Sequence, residues 1–211
     1  MKKILVIQTA FIGDVVLATA LIENLHQQWP EVKMDILVRK GNESLFESHP
    51  FLNKVLVWDK KNYKYHHWMG LLFKIRSSQY DVVINAQRFA ATGAWTALSG
   101  AKIKIGFDKN PFSFLFTNLV VHQFSENGQH EIERNHQLLS CLFEAKVAMP
   151  KLYPTALDEL AVINYQQTPY LCIAPASVWF TKQFSSEKWV DLINQIPFKG
   201  PIYLIGGPGD K

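Results

Sequence analysis

Two short stretches of this 211-residue sequence combine residue types that could carry chemistry. The first is Thr9-Ala10-Phe11-Ile12-Gly13-Asp14, which follows an apolar run and precedes an amphipathic one. It reads as the turn from a first strand into a first helix, the place where open α/β sheets bind ligands. Gly13 allows close backbone approach, and Asp14 falls at the start of the helix. Asp14 has two readings: an N-terminal cap worth about 1 kcal/mol, or a general base for a substrate hydroxyl. A helix N-terminus favours the carboxylate and weakens it as a base, so a partly dry cleft would have to restore its basicity. The second stretch, YLCIAPASVWFTKQFSSEKW from 170 to 189, carries Ser177, Thr181 and Lys182 in a loop just before a helix. Anion sites are commonly built this way. Lys182 reads either as a solvated loop lysine or as the partner of a diphosphate, neutralising a departing nucleotide.

Other stretches carry less. The closing GGPGDK lacks the spacing of a phosphate-binding P-loop, so Gly206, Gly207 and Gly209 read as a turn after a strand. His66 and His67 are adjacent and point apart on a helix, while His130 and His136 lie six apart. No metal-ligand spacing results, and no protein-bound metal or other cofactor is expected. KKNYKYHHW (60–68) interleaves basic and aromatic residues, and Phe112, Phe114 and Phe116 alternate in NPFSFLF. Such mixtures occur on surfaces that touch single-stranded nucleic acid, anionic lipid or charged sugar. They also occur as a half-buried helix start and an ordinary core strand.

The elements that must position these residues follow from hydrophobic period. Strand-like runs fall at 2–8, 34–39, 54–58, 80–85 and 101–107, and helical patterns at 14–29, 66–78, 89–98 and 130–145. The stretch 111–121 is a looser aromatic segment. Strands alternating with helices imply a parallel sheet covered on both faces, with right-handed, Rossmann-like crossovers. Three prolines between Ala148 and Pro169 mark a linker. Beyond it, strands at 170–175 and 201–207 flank a helix at 185–196 with a Ser cap. The expected organisation is an N-terminal Rossmann-like domain over 1–150, a linker over 151–168, and the opening βαβ of a second, incomplete domain over 169–211.

Composition bounds the function class. With 48% hydrophobic and 19% charged residues, the chain can bury a core, which excludes disorder and fibrous classes. A net charge of +4 suits an anionic small molecule or membrane surface and is too small to argue for nucleic acid, so no nucleic-acid partner is expected. Two cysteines, Cys141 and Cys172, give no disulfide framework. Gln8 and Asp14 break the apolar N-terminal run, and no stretch is long enough to span a membrane. A cytoplasmic protein is expected.

Taken together, these segments resemble the lipopolysaccharide heptosyltransferases, glycosyltransferase family 9. ILVIQTAFIGDVVLATALIENL resembles the family's opening strand, Gly-Asp turn and first helix, YDVVINAQ its fourth strand, and SGAKIKIGF its fifth. HEIERNHQLL resembles the helix before the linker. PASVWFTKQFSSEKW resembles the Pro-Gly-Ala…Lys-Arg-Trp-Pro loop that opens the second domain. The resemblance implies a GT-B fold and metal-independent, inverting transfer of heptose from ADP-heptose to a lipopolysaccharide inner-core acceptor. Asp14 then matches the catalytic base and Lys182 the donor-phosphate lysine, with Ser177 beside the donor phosphates. Lys60, Lys61 and Lys64 become candidate contacts to the acceptor or to the inner face of the cytoplasmic membrane.

The sequence departs from the family at Gln8, Ala20, Ala176 and Gln183-Phe184-Ser185. The family's later Asp-Thr-Gly…His segment would lie beyond Lys211, so a fragment or truncated product lacking most of the donor site is expected. Two other classes compete. One is a non-catalytic Rossmann-like module that binds acceptor saccharide or a partner. The other, a dinucleotide-dependent oxidoreductase, is disfavoured because the first turn lacks G-x-G-x-x-G.

Overall fold

The computed structural model describes residues 2–123, 128–144, 146–177 and 180–207, excluding the side chains of Lys64 and Phe180. The chain divides into two compact units, Met1–Tyr153 and Pro154–Lys211.

The first unit is built on six parallel strands: β1 (Lys3–Ile7), β2 (Lys33–Arg39), β3 (Leu52–Trp58), β4 (Val82–Asn85), β5 (Ile103–Phe107) and β6 (Asn118–Val120). Their spatial order is β3-β2-β1-β4-β5-β6. The helices are α1 (Ile12–Gln28), α2 (Lys64–Ser77), α3 (Ala90–Leu98) and the short α4 (Glu131–His136). Alternation along each strand deals its side chains to two cores. Ile4 and Val6 of β1 join Ile36, Val38 and Ile84 under α1. Leu5 and Ile7 join Leu37, Val83 and Leu56 under α2 and α3. Both faces are thereby buried, which is why the strands read as continuous apolar runs.

In the second core Trp95 is fully buried, edge-on to Trp58 and stacked on Trp68. Its indole donates to the Trp68 carbonyl at 3.0 Å. The one buried carboxylate of β2, Asp35, accepts from the Tyr80 hydroxyl (2.6 Å) and Asn53 (2.8 Å) and lies 3.4 Å from the Lys3 ammonium. These partners satisfy a charge that would otherwise be costly to bury.

Three expectations change. The aromatic segment 111–121 contains β6, which pairs with β5 from Ile105↔Asn118 to Phe107↔Val120. It is three residues long and half exposed, so it lacks the apolar run that marks the inner strands. The helix expected over 130–145 ends at His136 and tightens into a 3₁₀ turn over Gln137–Leu139. That turn sends the neighbouring Leu138 and Leu139 into the same core. Within the stretch read as a linker, Ala156–Val162 form α5. Thr155 and Asp158 cap it reciprocally, a pattern visible in T-x-x-D.

The second unit continues with β7 (Leu171–Ile173), α6 (Ser186–Gln195) and β8 (Ile202–Leu204), with β7 and β8 parallel. Ser185 caps α6 as expected, accepting from the Lys188 N–H. Among the described residues from 154 onward none is buried.

Tyr153, the last residue of the first unit, is held there by an aromatic cluster with His49 and Phe51, and its hydroxyl donates to Glu23 at 3.0 Å. Burial, and secondarily the nearby charge of His26, lowers the His49 pKa to about 4. The native state therefore refuses a proton that the unfolded chain takes up below its ordinary value of 6.5. Stability should fall between pH 6.5 and about 4, by up to about 1.4 kcal/mol per pH unit, and His49→Gln should flatten that slope. Urea midpoints across this range test it. Trp95→Ala should cost the first unit about 3–5 kcal/mol, read as a lower midpoint at unchanged denaturant slope.

Candidate functional site

Because all six strands are parallel, their carboxyl ends and following loops gather at one edge of the sheet. The strand order reverses between β1 and β4, which opens a crevice there. A cavity of about 380 Å³ occupies it, lined among others by Asp14, Arg39, Lys60, Arg88, His122 and Glu131.

The wall of this cleft is the 8–11 loop after β1, which is tied on both sides. The Thr9 hydroxyl donates to Gln87 Oε1 at 2.8 Å, bridging β1 and β4 across the switch. From the other side, Lys60 Nζ donates to the Thr9 carbonyl (2.7 Å) and Asn42 to that of Ala10 (3.2 Å). Gln8 is buried, and its side-chain oxygen accepts from the Ala10 N–H at 3.2 Å. The Arg39 guanidinium lies 4.7 Å from the centre of the Phe11 ring. So held, the loop aims the N-terminus of α1 into the cleft.

Asp14 is not the cap of α1. Phe11 occupies that position without a side-chain bond, and Asp14 is the third helical residue. The first N–H groups of the helix consequently have no side-chain cap, leaving a positive end at the cleft. Among the described residues the Asp14 carboxylate accepts no hydrogen bond. Gly13 lies inside the helix rather than in a turn, and a methyl group there would meet open space.

Of the three lysines after β3, Lys60 lines the cleft and Lys61 lies beside it, in a neighbouring basic cavity of about 490 Å³ shared with Arg39. Asp59 shapes this loop. One oxygen accepts from the Lys61 and Asn62 N–H groups, the other from the Lys40 ammonium at 2.9 Å. The Lys40 bond, with the loop N–H groups, holds its carboxyl well below the usual range. Lys64 opens α2, but its side chain lies outside the described residues.

Lys182 and Thr181 sit exposed in a 3₁₀ turn, Phe180–Lys182, between β7 and α6 of the second unit. Ser177 begins the same loop, its carbonyl accepting from the Gln183 side chain at 2.7 Å. Gln183 thus closes this loop where the family pattern has arginine. Val178, Trp179 and Gly209 lie outside the described residues, while Gly206 and Gly207 follow β8.

Sequence reasoning missed Arg39, Arg88 and His122. Each stands at the end of, or one to three residues beyond, a strand whose carboxyl end meets the cleft, and that position was the available signal. The His122 ring packs edge-on against Phe107, and the backbone N–H of His122 donates to the Asp108 carboxylate at 2.8 Å. Burial first, then the charges of Arg88 and Arg134, lowers its pKa. His130 caps α4 and His136 meets Asn24. Among the described residues no three His, Cys, Asp or Glu side chains converge as a metal site, and no helix is long and apolar enough to cross a membrane.

The profile of glycosyltransferase family 9 (heptosyltransferase) matches residues 68–211. The chain belongs to this family. It is 23% identical to lipopolysaccharide heptosyltransferase 1 of Escherichia coli over 94% of this chain and 66% of that protein. Its fold is similar to that of a family 9 glycosyltransferase from Veillonella parvula, with a TM-score of 0.80 at 18% identity, covering 99% of this chain and 63% of that one. It is also similar to the E. coli heptosyltransferase WaaC with ADP-2-deoxy-2-fluoro heptose, with a TM-score of 0.70 at 21% identity over 99% of this chain and 70% of that one. The fold is accordingly α/β of the GT-B type: a Rossmann-like first unit and the opening βαβ of a second. The chain spans 65–66% of the length of the first curated relatives it matches.

In this family 9 chain, replacing Asp14 breaks no hydrogen bond among the described residues. Asp14→Asn should change unfolding free energy by no more than about 1 kcal/mol, the helix-terminus contribution. A larger loss in chemical denaturation would return Asp14 to a structural role.

Proposed function

We propose that the protein acts as a heptosyltransferase, moving heptose from ADP-heptose to a lipopolysaccharide inner-core acceptor with inversion and without a metal. The observation that carries this reading is the Asp14 carboxylate, unpartnered among the described residues in a cleft lined with cations. Asp14 takes the proton of an acceptor hydroxyl as its oxygen bonds to the anomeric carbon. The bond from that carbon to the diphosphate breaks, and ADP leaves with the electron pair. Lys182 neutralises the departing diphosphate, with Ser177 and Thr181 as hydrogen-bonding groups in the same loop. In a metal-independent reaction the positive charge must come from such side chains and from backbone N–H groups.

An anionic acceptor fits the cleft of the first unit, where Arg39, Lys60 and Arg88 offer positive charge, with Lys61 in the loop after Lys60 and Lys64 at the start of α2. Lipopolysaccharide heptosyltransferase 1 of E. coli and WaaC with a bound ADP-heptose analogue support the choice of substrates by similarity. A second reading, a non-catalytic module that holds the acceptor saccharide, has one observation in its favour. The described residues of the second unit bury no core.

Calorimetric titration of ADP and ADP-heptose separates the two. Lys182→Ala should weaken ADP binding about tenfold or more, because the ammonium's charge-assisted hydrogen bond to phosphate can no longer form. Asp14→Ala should keep ADP binding. Asp14→Asn should lower the rate of ADP release in the presence of acceptor by about 10²–10⁴. Binding of a core saccharide with no binding of ADP by any form would establish the module instead.

A further inference from the structure

We infer that the outer face of α2 is a docking surface for an anionic lipid bilayer. α2 packs inward through Leu71, Leu72 and Ile75, with Trp68 beside them. A helix covering a sheet ordinarily turns polar residues outward. Here Tyr65, Met69 and Phe73 recur every fourth residue on the exposed side, with exposures of 81%, 44% and 66%. Tyr63, immediately before the helix, is 83% exposed and holds a left-handed backbone at φ 45°. That conformation costs a non-glycine residue about 1–2 kcal/mol, and no burial of the ring offsets it.

The charge of the segment is equally one-sided. From Lys60 to Tyr80 the sequence holds five of the 22 lysines and arginines and none of the 18 carboxylates. The other 190 residues carry 17 cations against 18 carboxylates, so the whole excess positive charge of the chain resides here. Lys74 and Arg76 are exposed and flank the apolar row, with Arg76 donating to the Leu98 carbonyl at 2.8 Å.

Apolar and aromatic side chains edged by cations, with no carboxylate among them, match the boundary between acyl chains and anionic headgroups. The row enters that boundary while the cations meet lipid phosphates. A second copy of the chain fits poorly, because its α2 would bring the same cations against these. The surface is separate from the cleft lining, though the segment begins at Lys60, which lines it. The inference holds whether or not the donor chemistry above is correct.

The test is flotation of the full chain with phosphatidylglycerol–phosphatidylethanolamine vesicles and with phosphatidylcholine vesicles, at low and high salt. The chain should float with the anionic vesicles only and be released by salt. Met69→Ser combined with Phe73→Ser should lower the vesicle-bound fraction at least about tenfold without lowering the melting temperature. Lys74→Gln should weaken binding about fivefold. Absence of binding, equal binding to phosphatidylcholine, or unchanged binding of the double variant overturns the inference. Self-association that the double variant abolishes, without vesicle binding, also overturns it and assigns the face to a second copy.

Discussion

The direction of six strands is the constraint on which the rest of the first unit depends. Parallel strands place every carboxyl end at the same edge, and a sheet buried on both faces leaves that edge as the place where loops can be polar. The reversal of strand order between β1 and β4 then parts the neighbouring loops. Thr9 and Gln87 span the gap with a buried hydrogen bond, so the crevice is held open at a fixed width. Everything chemically notable in the unit follows from this edge: the uncapped start of α1, Asp14, and the arginines and lysine that end or follow β2, β3 and β4.

The cleft is lined by more cations than carboxylates, with Asp14 and Glu131 as its acidic groups. Arg39, Lys60 and Arg88 line it, and Lys60 also holds the Thr9 carbonyl. Asp59 sits just before these lysines, but Lys40 and two loop N–H groups occupy its oxygens. Its charge therefore shapes the loop instead of facing a ligand. Asp14 differs, since it lines the cleft from the first turn of α1 and accepts no hydrogen bond among the described residues. The loop with Lys182 repeats the strand–loop–helix construction in the second unit, with Ser185 capping α6 and Gln183 closing the turn.

The cleft and the outer face of α2 occupy different parts of the same unit. One concerns what meets the carboxyl ends of the strands. The other concerns the solvent side of a helix whose inner side is already committed to the core. Leu71, Leu72 and Ile75 supply the buried packing of α2, while Tyr65, Met69 and Phe73 stay exposed.

Much of this was legible in the residues. The apolar runs of β1 to β5 and the helical period of α1, α2 and α3 are local signals, because burial on both faces leaves few polar residues inside a strand. The turn before Asp14 and the loop before Lys182 were legible for the same reason, as interruptions between such runs. β6 was not, since an edge strand of three half-exposed residues has no pattern of its own and exists through its pairing with Phe107 and its neighbours. Nor was the end of α4, which the burial of Leu138 and Leu139 decides. The sequence by itself determined β1 to β5 and the helices between them, their alternation, and the places of Asp14 and Lys182 at strand-to-helix connections. Only the tertiary structure decided that Arg39, Lys60, Arg88 and His122, at or just beyond the ends of four strands, share one cleft with Asp14. Local period reports whether a residue is buried; strand order, which sets neighbours across the sheet, is fixed by contacts far apart in the chain.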